Sequence, residues 1–345
     1  MSVRKFLFRV SAFVLAIALV VPLLAEGEEG ILDKVKNRGR LICGVNKELP
    51  GFGFLGQDGE WKGFDVDYGR AIAAAVLGDP NKVEFRPLKA AERFPALQTG
   101  EIDVLIRNTT WTLTRDTDLG ADFCPPTFYD GQGFMLRKEL GITSLKELAG
   151  ATIGVTAGST TELNLADTTR ALGIEVEPVV FEETETLYQS YDQERCDVVT
   201  SDKSQLISRR QSLKNPDDHI ILDVTISKEP LGPVTVHGDN KWNDVVSWVV
   251  YATFSAEEYG ITQANVSTFK PENTENPEIK RFLGLGESGG MGEKLGLPKD
   301  WARQVITAVG NYGEIFDRNL TPLGLPRGVN KPWTQGGLLY AMPFR

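Results

Sequence analysis

Nine consecutive residues, Arg107-Asn108-Thr109-Thr110-Trp111-Thr112-Leu113-Thr114-Arg115, bring hydroxyls, an amide and two guanidiniums into one short stretch. They offer hydrogen-bond donors and positive charge but no strong nucleophile or base. The chemistry this suits is holding a small carboxylate, not transforming it. The stretch directly follows Ile102-Asp103-Val104-Leu105-Ile106, an apolar run that reads as a buried strand. In open α/β sheets ligands bind just beyond the carboxyl ends of strands. A polar turn with surface arginines is the alternative at this point.

Two further stretches have a matching character. Cys196-Asp197-Val198-Val199-Thr200-Ser201-Asp202-Lys203-Ser204 echoes Ile102–Thr109: each is an Asp-Val-apolar strand ending in a polar tip. The second tip carries Asp202, a carboxylate where the first carries guanidiniums. Ala157-Gly158-Ser159-Thr160-Thr161-Glu162 opens a helix expected to run to about Leu172. A Ser or Thr cap leaves the first N–H groups pointing outwards, and such a helix start attracts anions. No lysine follows as a phosphate-binding loop requires, which disfavours nucleotides.

The elements that must position these groups alternate between strand and helix. Helices are expected at Ile31–Arg38, Val66–Leu77 (with Asp65 as N-cap and Gly78 beyond), Ala90–Thr99, Thr184–Gln193, Asn240–Phe254 and Trp301–Phe316. Strands are expected at Leu41–Val45, Val83–Leu88, Ile102–Ile106, Thr152–Val155, Val176–Phe181 and Ile220–Ile226. This gives parallel, doubly wound sheets in two similar, facing halves. Gly/Pro-dense stretches at Tyr129–Phe134 and Lys228–Pro233 mark crossovers. In the loop Gly51-Phe52-Gly53-Phe54 the two aromatics are candidates for a pocket floor, with the core as the alternative for each.

Composition narrows the function classes. Arg4, Lys5 and Arg9 precede an almost wholly apolar run from Val10 to Leu24, the pattern of an export signal with cleavage near Ala25. The formal net charge of −10 becomes about −13 when those three basic residues leave with the leader. An acidic surface argues against nucleic acid and anionic membrane partners. Cys43, Cys124 and Cys196 allow at most one internal disulfide, and the sequence does not say between which two. His219 and His237 are the only histidines, both expected at the surface or in turns, which leaves little room for Ser-His-Asp, Cys-His or multi-histidine metal chemistry. No metal or cofactor is expected.

With these stretches in place, the chain resembles the solute-binding proteins of bacterial ABC importers for polar amino acids, above all the longer, general L-amino-acid group. The matching segments are Arg107–Arg115, Tyr129–Met135, Gly158–Leu165, Cys196–Gln205, Ile226–Pro233 and Arg327–Arg345, which ends in GGLLYAMPFR. The resemblance implies an α/β, two-lobed periplasmic-binding-protein fold of type II, with doubly wound sheets joined by two hinge crossovers. Residues 1–25 would be the signal peptide, 26–132 plus 230–345 one lobe and 133–229 the other. It further implies a periplasmic monomer that captures L-amino acids between the lobes and delivers them to ABC transporter permease subunits.

Carried over residue by residue, Arg115 pairs with the ligand α-carboxylate. Thr110 and Thr160 give it backbone N–H groups, with Thr161 nearby. Asp202 and the Asn108 carbonyl take the α-ammonium. Relatives specific for basic amino acids stack the ligand side chain on an aromatic where this chain has Ala90-Ala91, so a roomier pocket is expected, with Phe52, Phe54 or Trp111 as substitutes. Paired cysteines are common among the relatives, and Gly154 and Gly69 lie near the positions where partners of Cys196 and Cys43 would be sought. The competing reading is a carboxylate-based dehydratase or isomerase of small acids on the same scaffold, for which Glu162 and Asp202 are the available acids or bases.

Overall fold

The computed structural model describes residues 29–286 and 291–345; the expected signal peptide lies outside the described residues. Helix α1 (Ile31–Arg38) closes on Gly39 in a left-handed conformation, and strand β1 (Leu41–Val45) follows. A small antiparallel meander of β2 (Glu48–Leu49), β3 (Gly53–Leu55) and β4 (Trp61–Lys62) leads into α2 (Phe64–Leu77). Then come β5 (Val83–Pro87), α3 (Arg93–Gln98), β6 (Val104–Leu105), α4 (Leu113–Asp118) and β7 (Ala121–Phe123).

After β8 (Phe128–Asp130) the chain enters a second unit: β9 (Gln132–Arg137), β10 (Thr152–Thr156), α5 (Thr160–Leu172), β11 (Glu177–Phe181), α6 (Thr184–Asp192), β12 (Val198–Asp202), α7 (Lys203–Arg210) and β13 (His219–Ile221). It returns through β14 (Glu229–Leu231) to β15 (Val234–Val236) and the long α8 (Asn240–Glu258). Helices α9 (Pro277–Phe282), α10 (Met291–Leu295), α11 (Trp301–Val309) and α12 (Tyr312–Asn319) complete the order.

Two five-stranded sheets result, ordered β5-β1-β6-β15-β7 and β11-β10-β12-β9-β13. In each, four strands run in one direction and the strand reached through a crossover lies antiparallel between two of them. Between the sheets, β8 and β14 pair antiparallel, so the two connections run side by side as a hinge ladder. This is the two-lobed, type II binding-protein architecture.

The first lobe carries the larger core. Trp242 on α8 is fully buried, and its Nε1 donates to the Asp103 carbonyl at 2.7 Å, pinning the helix beneath β6. Phe344 near the C-terminus packs against Trp248, Phe282 and Trp301, so the tail closes this core.

Several sequence expectations need correction. Asp65 is not the N-cap of α2; Gly63 holds that place at φ 133°, and the freed Asp65 carboxylate reaches the site. Trp301–Phe316 is not one helix, because Gly310 at φ 82° separates α11 from α12. The strand segments Ile102–Ile106 and Ile220–Ile226 shrink to the residues whose ladder partners exist. His219 is buried, with Nδ1 2.7 Å from Tyr191 Oη. All three cysteines are buried and free. A Cβ built at Gly69 or Gly154 would lie 3.3 Å from the sulfur of Cys43 or Cys196 respectively, so each thiol faces a glycine instead of a second sulfur. Burial holds the Cys43 thiol well above its ordinary range, and such a thiol is chemically inert.

Candidate functional site

The first wall of the site is built where β6 ends. Asn108 takes φ 32°, uncommon for a residue with a side chain, and such conformations persist only when the surroundings hold them. Here its backbone N–H donates to Asp65 Oδ2 at 2.9 Å. Burial raises the Asp65 carboxyl to about 6, opposed by that hydrogen bond and by Arg107. Four residues on, Thr112 caps α4 and accepts the Arg115 N–H at 3.3 Å. The Arg115 guanidinium folds back, donates from Nη1 to the Thr110 carbonyl at 2.9 Å and lies 5.4 Å from the Phe94 ring centroid.

The second wall comes from the other lobe. Gly158 at φ 68° lets the chain turn from β10 into α5. Ser159 caps the helix by accepting the Glu162 N–H, and Glu162 Oε2 accepts the Gly158 N–H at 2.9 Å. The N–H groups of Thr160 and Thr161 occupy the first turn, where no intrahelical acceptor exists. Asp202 ends β12, almost fully buried.

Asn108, Thr110, Arg115, Thr160, Thr161 and Asp202 all line one crevice between the lobes, together with Arg93, Arg107, Thr156, Ser159, Thr184, Ser201, Gln205 and Ala90. The lobes are closed over it. Arg93 Nη2 donates to the Gly158 carbonyl at 3.3 Å, Arg209 Nη1 to the Glu48 carbonyl at 3.1 Å, and Ser208 Oγ to the Pro50 carbonyl at 2.7 Å.

Charge is divided across the crevice. Arg93, Arg107 and Arg115 are buried, and none is in an ion pair among the described residues. Burial presses on all three: Arg93 is driven well below its ordinary range, Arg107 to about 10, and Arg115 downward against the opposing pull of Glu229 and Asp202. A guanidinium does not give up its proton in a protein. The desolvation therefore stands as an unmet demand for an anion. On the other side, burial first, then the neighbouring Asp130 and Glu229, push the Asp202 carboxyl well above its usual range, a demand for a cation.

Arg93 and Glu229 are site residues that the sequence reading missed. Arg93 falls inside the expected helix Ala90–Thr99 with nothing to single it out; its Nη1 reaches Thr109 Oγ1 at 3.3 Å and its Nε the Ala90 carbonyl at 2.8 Å. Glu229 lies inside a stretch read as a crossover and as one of the matching segments, with no site role given to it. Conversely, Phe52, Phe54 and Trp111 do not line the crevice. Phe52 packs edge-on against Phe64 and Phe128 in the core, because the Gly51 turn points it inward. Phe54 sits half-buried in the meander. Trp111 turns outward, 40% exposed, and stacks on Phe123 with centroids 5.5 Å apart.

Two α/β lobes on a paired-strand hinge, closed over a crevice with cationic and anionic sides, define a two-lobed solute-binding protein. The chain belongs to the bacterial extracellular solute-binding proteins: the profile of family 3 of that group matches residues 41–168. It is 55% identical to the general L-amino acid-binding periplasmic protein AapJ of Rhizobium johnstonii, over 91% of this chain and 92% of that one. It is 51% identical to the glutamate/glutamine/aspartate/asparagine-binding protein BztA of Rhodobacter capsulatus, over 97% and 99%. Among solved structures it is similar to an ABC transporter periplasmic binding protein from Brucella ovis with glutathione bound, at 53% identity and a TM-score of 0.89, covering 92% of this chain and all of that one.

Proposed function

We propose that this protein captures free L-amino acids in the interlobe crevice and delivers them, by closing about the hinge ladder, to an ABC importer. What carries the reading is the placement of Arg115 and Asp202 on opposite walls of one crevice. A ligand carrying a carboxylate and an ammonium on one carbon meets both demands at once. Arg115 pairs with the carboxylate as a fork, and Thr110 and Thr160 donate their N–H groups to it, with Thr161 beside them. Asp202 and the Asn108 carbonyl accept from the ammonium. Each charged hydrogen bond contributes about 1.5–3 kcal/mol. Because the two walls belong to different lobes, the ligand stabilises the closed arrangement, and the transporter reads closure as occupancy.

The names of the relatives point to amino acids in general and to acidic ones and their amides in particular. Arg93 and Arg107 beside the carboxylate site suit a second carboxylate or an amide on the ligand, and the absence of an aromatic at Ala90-Ala91 leaves room for it. As it stands the crevice has about 30 Å³ of free space, enough for water-sized groups, so a ligand enters with the lobes parted. In this reading residues 26–132 plus 230–345 and 133–229 are the moving bodies, the leader is cut near Ala25, and the mature protein works as a periplasmic monomer with ABC permease subunits as its partners. A catalytic role finds no support: Glu162 is engaged in capping α5, and Asp202 has the ammonium to hold. The test is calorimetry of the mature protein with the common L-amino acids, with product analysis after long incubation. One-to-one binding with the amino acid recovered unchanged is expected; turnover, or binding of none of them, overturns the reading.

A further inference from the structure

Glu229 opens β14, one of the two hinge strands, where it faces Asp130 of β8 in the ladder. Its side chain is 1% exposed, and among the described residues no basic side chain pairs with it. A buried carboxylate persists only when donors meet its oxygens. Oε2 accepts from Thr110 Oγ1 at 2.6 Å and from Thr160 Oγ1 at 2.9 Å. Oε1 accepts from Asn164 Nδ2 at 2.9 Å and from Ser227 Oγ at 2.5 Å.

These donors come from three parts of the molecule. Thr110 lies in the first lobe, Thr160 and Asn164 in the second, and Ser227 in the hinge connection. When the lobes part, the four bonds cannot all be kept. Thr110 and Thr160 are also the two residues whose backbone N–H groups grip the ligand carboxylate in the reading above, on which this inference rests. By accepting both hydroxyl protons, Glu229 fixes the rotamers of the two threonines and ties together the backbone segments that carry their N–H groups. Arg115 joins the same arrangement through the Thr110 carbonyl.

We propose that Glu229 is a positioning residue that makes lobe closure and the grip on the ligand carboxylate one event, through the Thr110–Glu229–Thr160 bridge. In the open state the bridge is broken and the carboxylate is hydrated. On closing, the hydroxyls of both lobes replace that water.

The test compares the mature wild type with Glu229→Gln, Thr160→Val and the double variant, using L-glutamate as the probe. Calorimetry reads affinity, and small-angle X-ray scattering at saturating ligand reads closure. Glu229→Gln is expected to weaken binding tenfold or more and to leave part of the liganded population open. Thr160→Val, which keeps the side-chain shape and the backbone N–H, is expected to weaken it three- to tenfold. The double variant should be within about twofold of Glu229→Gln, because both changes break one bridge. If Glu229→Gln lowers the melting temperature but leaves affinity and scattering at wild-type values, Glu229 is merely structural and the proposal falls. If Glu229→Gln does not fold, Thr160→Val alone decides, and wild-type affinity in that variant ends the proposal. Failure of the wild type to bind any amino acid ends the underlying functional reading instead.

Discussion

The tips of β6 and β12 are built alike and charged oppositely. Each ends an Asp-Val-apolar strand that follows a helix, and each opens on the same crevice. Around the first tip three buried guanidiniums, Arg107, Arg115 and Arg93 of α3, form no ion pair among the described residues; at the second a buried carboxylate is crowded by two others. A repeated scaffold thus provides two equivalent positions, and side-chain choice gives them opposite sign. At both ends burial is the largest influence on the charged group, and it disfavours the charge. A surface pair would have solved this with a direct salt bridge between the lobes, and it would then have had no reason to bind anything. Keeping the two ends apart leaves the pairing to a zwitterion.

Removing the cationic end is the severest way to break this division. Arg115→Ala should weaken amino-acid binding by about 2–4 kcal/mol, since a desolvated carboxylate then loses its fork. Unchanged affinity by calorimetry would show that the carboxylate sits elsewhere. At the anionic end, Asp202→Ala should cost an amino acid about 1.5–3 kcal/mol, while a carboxylic acid of the same shape lacking the α-amine loses much less. Equal losses for the two ligands would remove the ammonium from Asp202.

A third change leaves both charges in place and alters only their approach. A Cβ at Gly158 would lie 3.2 Å from Ala91 Cα in the opposite lobe, and the residue's positive φ already disfavours any side chain. Gly158→Ala should therefore hold the lobes slightly apart and weaken binding about five- to tenfold by the same logic of backbone strain and contact. Scattering on the liganded variant should show a less compact particle, and a wild-type profile would count against closure at this point.

The smallest effect is the pH response, and it separates stability from binding. Burial raises Asp65 to about 6, and Asp130 and Asp202 also lie above their ordinary range. Between the unfolded value of about 4 and these native values the folded chain binds more protons than the unfolded one. The stability of the unliganded protein should therefore rise as pH falls from 7 to 5, and be lost again as pH rises through the native values. Binding runs the other way: an ammonium requires Asp202 ionised, so binding releases a proton and affinity should fall severalfold over the same interval. Melting temperatures with and without ligand at the two pH values check both signs, and parallel trends would refute the assignment.

Much of the scaffold was legible because its signals are local. Gly39 after α1 and Ser159 before α5 mark helix ends within a residue or two of where they fall. The six crevice residues were reached through motif resemblance, and the structure brings all six to one place. Arg93 was not legible, since its partners Thr109 and Gly158 are 16 and 65 positions away and nothing near it announces burial. Phe52 was legible only as a choice between pocket floor and core, and the aromatic cluster with Phe64 and Phe128 decides for the core.

From the chain alone came the alternation of strand and helix, the polar tips, and the opposite charges at Arg115 and Asp202, because periodicity, caps and residue type act over a few positions. Only the folded lobes decided that Glu229 would bridge Thr110 and Thr160, that Gly158 would abut Ala91, and that three guanidiniums would be buried with no ion pair among the described residues. Those outcomes depend on which distant surfaces meet when water is excluded between them, and no local pattern carries that information.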